Sequence, residues 1–224
     1  MKIQALVSAI LLTSLCSFAQ SKSLEEATAR LFGKTTAFSA DLSISSAKGE
    51  VAMNGKFYFD HGKTRFEGSL PKSIAPTALE QMQKLGLDKI FSINRPDLRK
   101  NYMVYPTLKA YTLIDYAVKG TTNEDVTITS AVMGKETVIG HVCDKTLVKF
   151  ANAGSQHELT TWNAVDLDGF PIKVEMGLNA DVMSIIYTNL NTKVPDPSLF
   201  EPPTEFTKYE SQEELMKAVF AQKH

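Results

Sequence analysis

The stretch 50–68 shows the alternation of apolar and polar positions that is typical of a β-hairpin. On its first arm the apolar side chains stand two residues apart, apart from one interruption, at Val51, Met53, Phe57 and Phe59. A period of two gives a strand one apolar and one polar face. His61-Gly62 interrupts the run and suits a tight turn. Phe66 then alternates with Arg65 and Glu67, so the hairpin predicts an amphipathic sheet.

Similar patterns recur along most of the chain. They predict further strands at 36–46, 88–94, 101–105, 109–116, 126–133, 136–151, 157–166, 170–177 and 181–190. Turn-forming segments such as Arg95-Pro96-Asp97 and Asp168-Gly169 separate several of them. The chain is therefore expected to form about eleven strands in a mostly antiparallel meander.

Three segments have a helical period instead. Residues 23–32 and 211–222 predict helices near the two ends of the chain. Between 71 and 87, apolar residues recur at roughly helical spacing, at Ile74, Leu79, Met82 and Leu85. Pro76 suits the first turn of this helix and Gly86 suits its end. Its apolar stripe must pack on a sheet face, either as plain core or as a movable lid over a ligand, so we predict that 75–86 covers the apolar face.

The first nineteen residues have the order of an export signal. Lys2 precedes a mostly apolar run at 5–15, and Ser17-Phe18-Ala19 supplies a small-x-small cleavage site. This run is shorter than the roughly 20 residues that a membrane-spanning helix needs. We therefore expect cleavage after Ala19, a periplasmic location and one domain at 20–224. Lipid modification of Cys16 is the alternative.

Composition limits the classes of partner that the chain can bind, and cysteine content limits the disulfides that it can form. The chain is 43% hydrophobic and 22% charged with a net charge of −1, which offers no basic field for nucleic acid or acidic lipid. Cleavage would leave Cys143 without a partner, so we expect no internal disulfide. Cys143 lies in a predicted strand, which favours a buried and unreactive thiol.

The residues with chemical potential form no recognisable constellation. The histidines lack the spacing of metal ligands, and no phosphate-binding loop, nucleophile elbow or dinucleotide fingerprint occurs. We therefore predict no catalytic residue, no metal site and no cofactor, and a protein that is not an enzyme. Trp162, the single tryptophan, is interpreted first as a packing anchor.

Several segments together resemble the outer-membrane lipoprotein carriers and receptors, the LolA/LolB-like superfamily, and most closely an uncharacterised exported bacterial family within it. The segments are G-K-F-Y-F-D-H-G-K-T-R-F at 55–66, N-R-P-D at 94–97, V-Y-P-T-L-K-A-Y at 104–111, G-K-E-T-V-I-G at 134–140, W-N-A-V-D-L-D-G-F-P-I-K at 162–173 and D-P-S-L-F-E-P-P at 196–203. The resemblance implies a mainly β fold with helices (α+β). Its sheet would be a strongly curved, antiparallel, unclosed half-barrel whose concave face is covered by helices.

This resemblance also implies a function. In the carriers the hollow takes up the acyl chains of lipoproteins, so we expect a non-enzymatic periplasmic protein that binds or carries a lipid or acylated lipoprotein and touches membranes only peripherally or transiently. The expected cavity lining is Phe57, Phe59, Phe66, Leu79, Met82, Leu85, Tyr105, Tyr111 and Trp162. The alternative is a structural or sensory envelope module that acts through contacts with a protein partner.

Overall fold

The structure is a computed structural model that describes residues 31–32, 34–46, 51–70, 74–114, 127–152, 155–178 and 181–221. The predicted export signal at 1–19, its cleavage site after Ala19, Cys16 and nearly all of the predicted helix 23–32 lie outside these residues. Within the described ranges, no helix has the length and apolar character needed to cross a membrane.

Twelve strands and two helices are the main elements of the described chain. The strands are β1 Ala37–Ser46, β2 Val51–Asp60, β3 Lys63–Gly68, β4 Ile90–Arg95, β5 Lys100–Tyr105, β6 Ala110–Ile114, β7 Thr127–Val138, β8 His141–Asn152, β9 Ser155–Ala164, β10 Phe170–Leu178, β11 Asp181–Asn191 and β12 Thr207–Tyr209. The helices are α1 Pro76–Leu85 and α2 Gln212–Ala221.

All twelve strands belong to one unclosed sheet in the order β12-β6-β5-β4-β3-β2-β1-β11-β10-β9-β8-β7. A first meander, β2–β6, and a second meander, β7–β11, meet on the two sides of β1. The predicted class, a mainly β half-barrel sheet with helices, is confirmed. The sheet is mixed because the three-residue strand β12 pairs parallel to β6. This strand, too short to show a period, was not predicted.

The predicted hairpin and the predicted middle helix are both confirmed. His61 and Gly62 form the β2–β3 turn with φ angles of 48° and 90°. α1 begins at Pro76, and Gly86 ends it in the left-handed region at φ 73°, with its N–H donating to the Gln83 carbonyl. Glycine tolerates this conformation at little steric cost.

The predicted strand boundary near Gly134 is wrong. β7 continues from Thr127 through Gly134, where the register with β8 shifts at a bulge, and the hairpin turns later, at Ile139-Gly140. Ile139 has φ 49°, a conformation that β-branched residues rarely adopt. The β7–β8 turn therefore has no ordinary turn-forming residue at its first position. Gly134-Lys135 has the sequence of a turn but lies at a β-bulge.

The C-terminal part of the chain crosses from one face of the sheet to the other. Residues 194–206, the strap, include the 3₁₀ turn Pro197–Phe200 and pack on the face that carries Tyr102 and Val104. β12 then extends the edge of the sheet, and α2 packs on the opposite face with α1. We call these two sides the strap face and the helix face.

Candidate functional site

The apolar side chains of the sheet are divided among three clusters. The large cluster surrounds Phe38, Phe59 and Phe170 and extends across β1, β2 and the second meander. The helix cluster joins Met82 of α1 and Leu215 of α2 to Tyr105 and Ala110. The strap cluster holds the fully buried Phe200 against Ile93, Tyr102 and Val104. The sheet therefore has apolar residues on both faces in its first meander.

The predicted cavity residues are distributed over all three clusters. Phe57, Phe59, Phe66 and Trp162 belong to the large cluster. Met82, Leu85 and Tyr105 belong to the helix cluster. Tyr111 lies on the strap face, where its ring meets that of Tyr102 at 5.9 Å. Leu79 lines a groove beside α1. The structure thus does not place the nine residues around one hollow, and their role in binding stays a prediction.

A groove of about 770 Å³ lies between α1 and the ends of β2, β3 and β4. Its apolar lining comes from five residues: Leu70, Leu79, Ile90, Phe91 and Pro106. Polar and charged side chains border it: Asn54, Arg65, Glu67, Ser69, Gln83, Asp88 and Lys89. The volume falls within the roughly 300–1,000 Å³ typical of small-molecule sites. An apolar lining beside a charged border suits an amphiphile.

Two glycines shape the floor of this groove. Gly55 and Gly68 are directly paired across β2 and β3, and the Phe66 ring lies over both. A Cβ atom added at Gly55 would come within 2.5 Å of the Glu67 carbonyl oxygen and 2.7 Å of the Phe66 ring. Only residues without a side chain let the ring lie there, so the glycine pair fixes Phe66 beside the groove.

α1 covers the groove with few buried side chains. Met82 is its one buried residue, while Leu79 and Leu85 are half-buried. The remaining helix positions are exposed, apart from half-buried Ala78. Because a helix is held to a sheet mainly by its buried apolar face, this helix is attached chiefly through Met82.

The charges on the groove border fall into two groups. Arg65 is fully engaged: its guanidinium stacks 3.7 Å from the Phe91 ring centroid, donates to Glu67 at 2.7 Å and donates to the Leu199 carbonyl at 3.1 Å. Asp88 and Lys89 form no ion pair with any described residue. The side chains of Asp88 and Lys89 are therefore the charges available to a polar group of a ligand.

Burial also changes ionisation beneath the helices. The phenol of Tyr105 is 2% exposed within the helix cluster, and this burial raises the pKa of Tyr105 above its ordinary value. Tyr105 is therefore neutral over the physiological pH range and acts as an apolar body under α1 and α2 rather than as an acid or base.

A smaller cavity of about 390 Å³ lies on the second meander and has paired charges. Lys145 donates to Glu136 at 2.8 Å, and the same carboxylate accepts from Trp162 Nε1 at 2.7 Å. The Trp162 ring also lies beneath the Lys145 and Lys173 ammonium groups, at 5.0 and 4.1 Å. These contacts hold the indole in place, as a packing anchor requires.

The other chemically capable side chains do not form a reaction centre in the described ranges. Cys143 is buried, and its burial raises the pKa of the thiol, so it is a poor nucleophile. His61 lies 2.7 Å from Asp60, and His141 lies 2.7 Å from Asp166, at separate turns. No group of three metal-ligating residues occurs among the described residues.

Several groove residues were not predicted from the sequence. Gly55, Gly68, Ile90, Phe91 and Pro106 come from four separate segments, and no period marks them. The two glycines were the available signal, because each stands where its strand would otherwise place another apolar side chain beside Phe66.

No protein family and no curated protein matches the chain by sequence. Solved structures resemble its fold. The Mycobacterium tuberculosis lipoprotein LppX is 11% identical with a TM-score of 0.42, covering 78% of this chain and 99% of that one. MucB is 10% identical with a TM-score of 0.41, covering 81% and 63%. A LolA superfamily protein from Nitrosomonas europaea is 9% identical with a TM-score of 0.36, covering 81% and 97%. All three likenesses have TM-scores below 0.5, so the resemblance to the LolA/LolB-like superfamily stays a prediction.

Proposed function

We propose that the protein is a non-enzymatic binding or carrier protein that holds the apolar chain of a lipid or acylated ligand in the groove beneath α1. The observation that carries this proposal is an apolar groove of about 770 Å³ beside a helix with only one buried side chain. Such a helix can shift while the sheet beneath it persists.

The energetics favour an acyl chain. Each buried methylene contributes about 0.8 kcal/mol, so a chain of about eight gains about 6 kcal/mol before the cost of ordering it. Leu79, Ile90 and Phe91 supply the apolar surface that such a chain needs. Asp88 and Lys89 supply two charges for the head of the ligand. Binding therefore needs no catalytic group.

The location completes the proposal. The charge, apolar run and small-x-small order of residues 1–19 support export, and a chain secreted to the periplasm meets envelope lipids there. N-terminal sequencing of the exported protein should find Gln20 first. A mature chain that still begins at Met1 contradicts this part of the proposal.

The decisive experiment places a charge in the groove. Leu79→Asp should abolish uptake of a naphthalene sulfonate dye and of a fluorescent fatty acid, because burying an unpaired carboxylate beside an acyl chain is costly. Gln81→Asp is the matched control, since Gln81 is exposed on the same helix. It should leave uptake unchanged. Equal uptake by the wild type and Leu79→Asp contradicts the proposal.

A second substitution separates the groove from the core. Met82 is buried in the helix cluster, so Met82→Ala should lower the free energy of unfolding by about 2–5 kcal/mol. Leu79→Ala should change it far less and weaken dye binding instead. If Leu79→Ala is the more destabilising of the two and leaves binding unchanged, α1 is part of the core and does not move to admit a ligand to the groove.

A second candidate function, as a structural or sensory module, has one observation in its favour. β7 is an edge strand with Val132 and Met133 exposed at 68 and 63%, and no described strand pairs with its outer edge. Native mass spectrometry of protein taken from its own periplasm distinguishes the two. A bound lipid mass favours carriage, and a lipid-free protein that co-purifies with a protein partner favours the module.

A further inference from the structure

The charged side chains that line the groove beneath α1 differ in whether they are already paired. Among the described residues, four charged side chains line it. Arg65 and Glu67 bond to each other at 2.7 Å, and the Arg65 guanidinium also stacks on the Phe91 ring. Asp88 and Lys89 have no hydrogen bond or ion pair with any described residue, including each other. The groove lining therefore carries one free negative charge and one free positive charge.

The backbone holds both free charges in place where α1 meets β4. Before them, Leu87 is 3% exposed, and its N–H donates to the Met82 carbonyl at 2.8 Å. After them, Ile90 begins β4 and is already paired with β3. Asp88 and Lys89 thus lie between a buried residue and a paired strand. Their position beside the groove is set by the fold.

Asp88 indicates the sign of one ligand group. Its side chain is half-buried, whereas that of Lys89 is exposed. A carboxylate that loses part of its contact with water is stabilised by a neighbouring cation. α1 ends just before Asp88, and the negative end of the helix dipole favours a cation at the same place. The groove is therefore complementary to a positive group beside Asp88 and a negative group beside Lys89.

We propose that the groove selects an amphiphile whose head carries both an ammonium and a phosphate group. The ammonium pairs with Asp88, the phosphate pairs with Lys89, and the apolar chain lies along Leu79 and Phe91. A short spacer joins the two charges of such a head, which matches charges on consecutive residues. This inference rests on the proposed function and adds to it the chemical class of the head group.

A head with a single charge is less complementary to this groove. An anionic head would be attracted by Lys89 and repelled by Asp88, and a cationic head would meet the reverse. Two further cations are near the groove but do not line it: Lys56, opposite Glu67 across β2 and β3, and Lys109, after the turn Pro106–Leu108. Because salt screens exposed charges at longer range, the charges in the lining decide the preference.

The test is calorimetric titration of the protein with three single-chain amphiphiles of equal chain length, each below its micelle concentration. They are a lysophosphatidylethanolamine, a lysophosphatidylglycerol and an alkyltrimethylammonium. We expect the first to bind about fivefold more tightly than the other two, with the difference shrinking as salt is added. Asp88→Asn should make the anionic amphiphile the tightest ligand, and Lys89→Gln should make the cationic one the tightest.

Matched controls change charges outside the lining. Glu80 and Lys84 form an exposed pair at 3.7 Å on α1, so Glu80→Gln and Lys84→Gln should keep the wild-type ranking. Lys109→Gln should keep it as well. Urea unfolding curves confirm that each variant is folded. If no amphiphile binds, the proposed function fails and this inference fails with it. Equal binding of the three heads, a tighter single-charge head, or the same shift in Lys89→Gln and Lys109→Gln overturns this inference alone.

Discussion

The two meanders on either side of β1 are built differently. β3–β6 are five or six residues long and have apolar residues on both faces, with α1 and α2 over one face and the strap over the other. β7–β11 are nine to twelve residues long, contribute to the large cluster, and leave the edge of β7 without a described partner strand. The first meander thus has mostly short strands that are covered on both faces. The second has longer strands and an edge strand without a described partner.

This difference shows where binding surfaces arise. A short strand covered on both faces needs separate segments to cover it, and their junctions leave gaps. The groove is such a gap, between α1 and the ends of β2–β4. The turn Pro96–Leu98 is also incompletely covered, because its Leu98 is 46% exposed. In the second meander, the cavity is bordered by paired charges.

The largest expected effect comes from removing the anchor of the strap. Phe200 belongs to the strap and is fully buried against the sheet at β3–β5. Phe200→Ala should therefore lower the free energy of unfolding by about 3–5 kcal/mol. Phe220→Ala removes a ring of the same size that is 47% exposed and should cost little. Urea denaturation measures both. If the two variants are equally stable, the strap does not cover the first meander in solution.

The next effect compares one glycine from each meander. Gly55→Ala puts a methyl group against the Glu67 carbonyl and the Phe66 ring, so we expect about 1–3 kcal/mol of destabilisation and a change in dye binding. Nothing lies within 4 Å of a Cβ added at Gly177 in β10. Gly177→Ala should therefore keep or slightly raise stability. A neutral Gly55→Ala would mean that Phe66 does not lie over the glycine pair.

A smaller effect depends on pH. Burial alone would raise the pKa of Asp60, but hydrogen bonds with His61 and Lys63 outweigh it, so the pKa of Asp60 lies below its ordinary value. The charged form is thus favoured by folding, and its contribution is present above the ordinary aspartate pKa and lost as the pH falls through the lowered one. Asp60→Asn should be less stable than wild type at neutral pH, and the difference should vanish in acid.

The control for that experiment lies in the second meander. Asp166 contacts His141 at an exposed turn, and exposed pairs contribute about 0–1 kcal/mol. Asp166→Asn should therefore change the free energy of unfolding little. Stability curves from acid to neutral pH test both variants. An Asp60→Asn curve parallel to that of the wild type would show that the Asp60 carboxylate is not held by its neighbours.

The smallest expected effect is no change at all. Trp162 is the single tryptophan, is 3% exposed and lies in the second meander between two lysines. A ligand that enters the groove should leave its emission maximum unmoved, whereas urea should shift it to longer wavelength. A shift on ligand addition would place the binding site in the second meander, or couple the two meanders more tightly than their separate clusters suggest.

Sequence periodicity predicted the elements better than their surroundings. Alternation located β1, β2 and β3 within a residue or two, because more buried positions alternate with less buried ones along β1 and β2 and because His61-Gly62 marks the β2–β3 turn. β5 is different: Tyr102 and Tyr105 look alike in sequence, yet one meets the strap and the other meets the helices. An apolar residue shows that a face is covered but does not identify the segment that covers it.

The candidate site could be predicted only in part for the same reason. Leu79 and Met82 belong to one helical stripe, and the sequence treats them as equivalent. The structure buries Met82 in the helix cluster and leaves Leu79 half-buried on the groove. Met82 becomes core because later segments of the chain supply Tyr105, Ala110 and Leu215 to the same cluster, and the helical stripe itself carries no sign of those partners.

The central position of β1 also decides the order in which the sheet can assemble. β2 follows β1 at once, but Asn189 of β11 must find Asp41 of β1 across a separation of 148 residues. Each meander can form from local hairpins, whereas joining them at β1 closes a very long loop, which makes such a step slow. Until then β1 offers a bare edge rich in Phe38, Leu42 and Ile44. We therefore expect the chain to aggregate most readily before β11 pairs with β1.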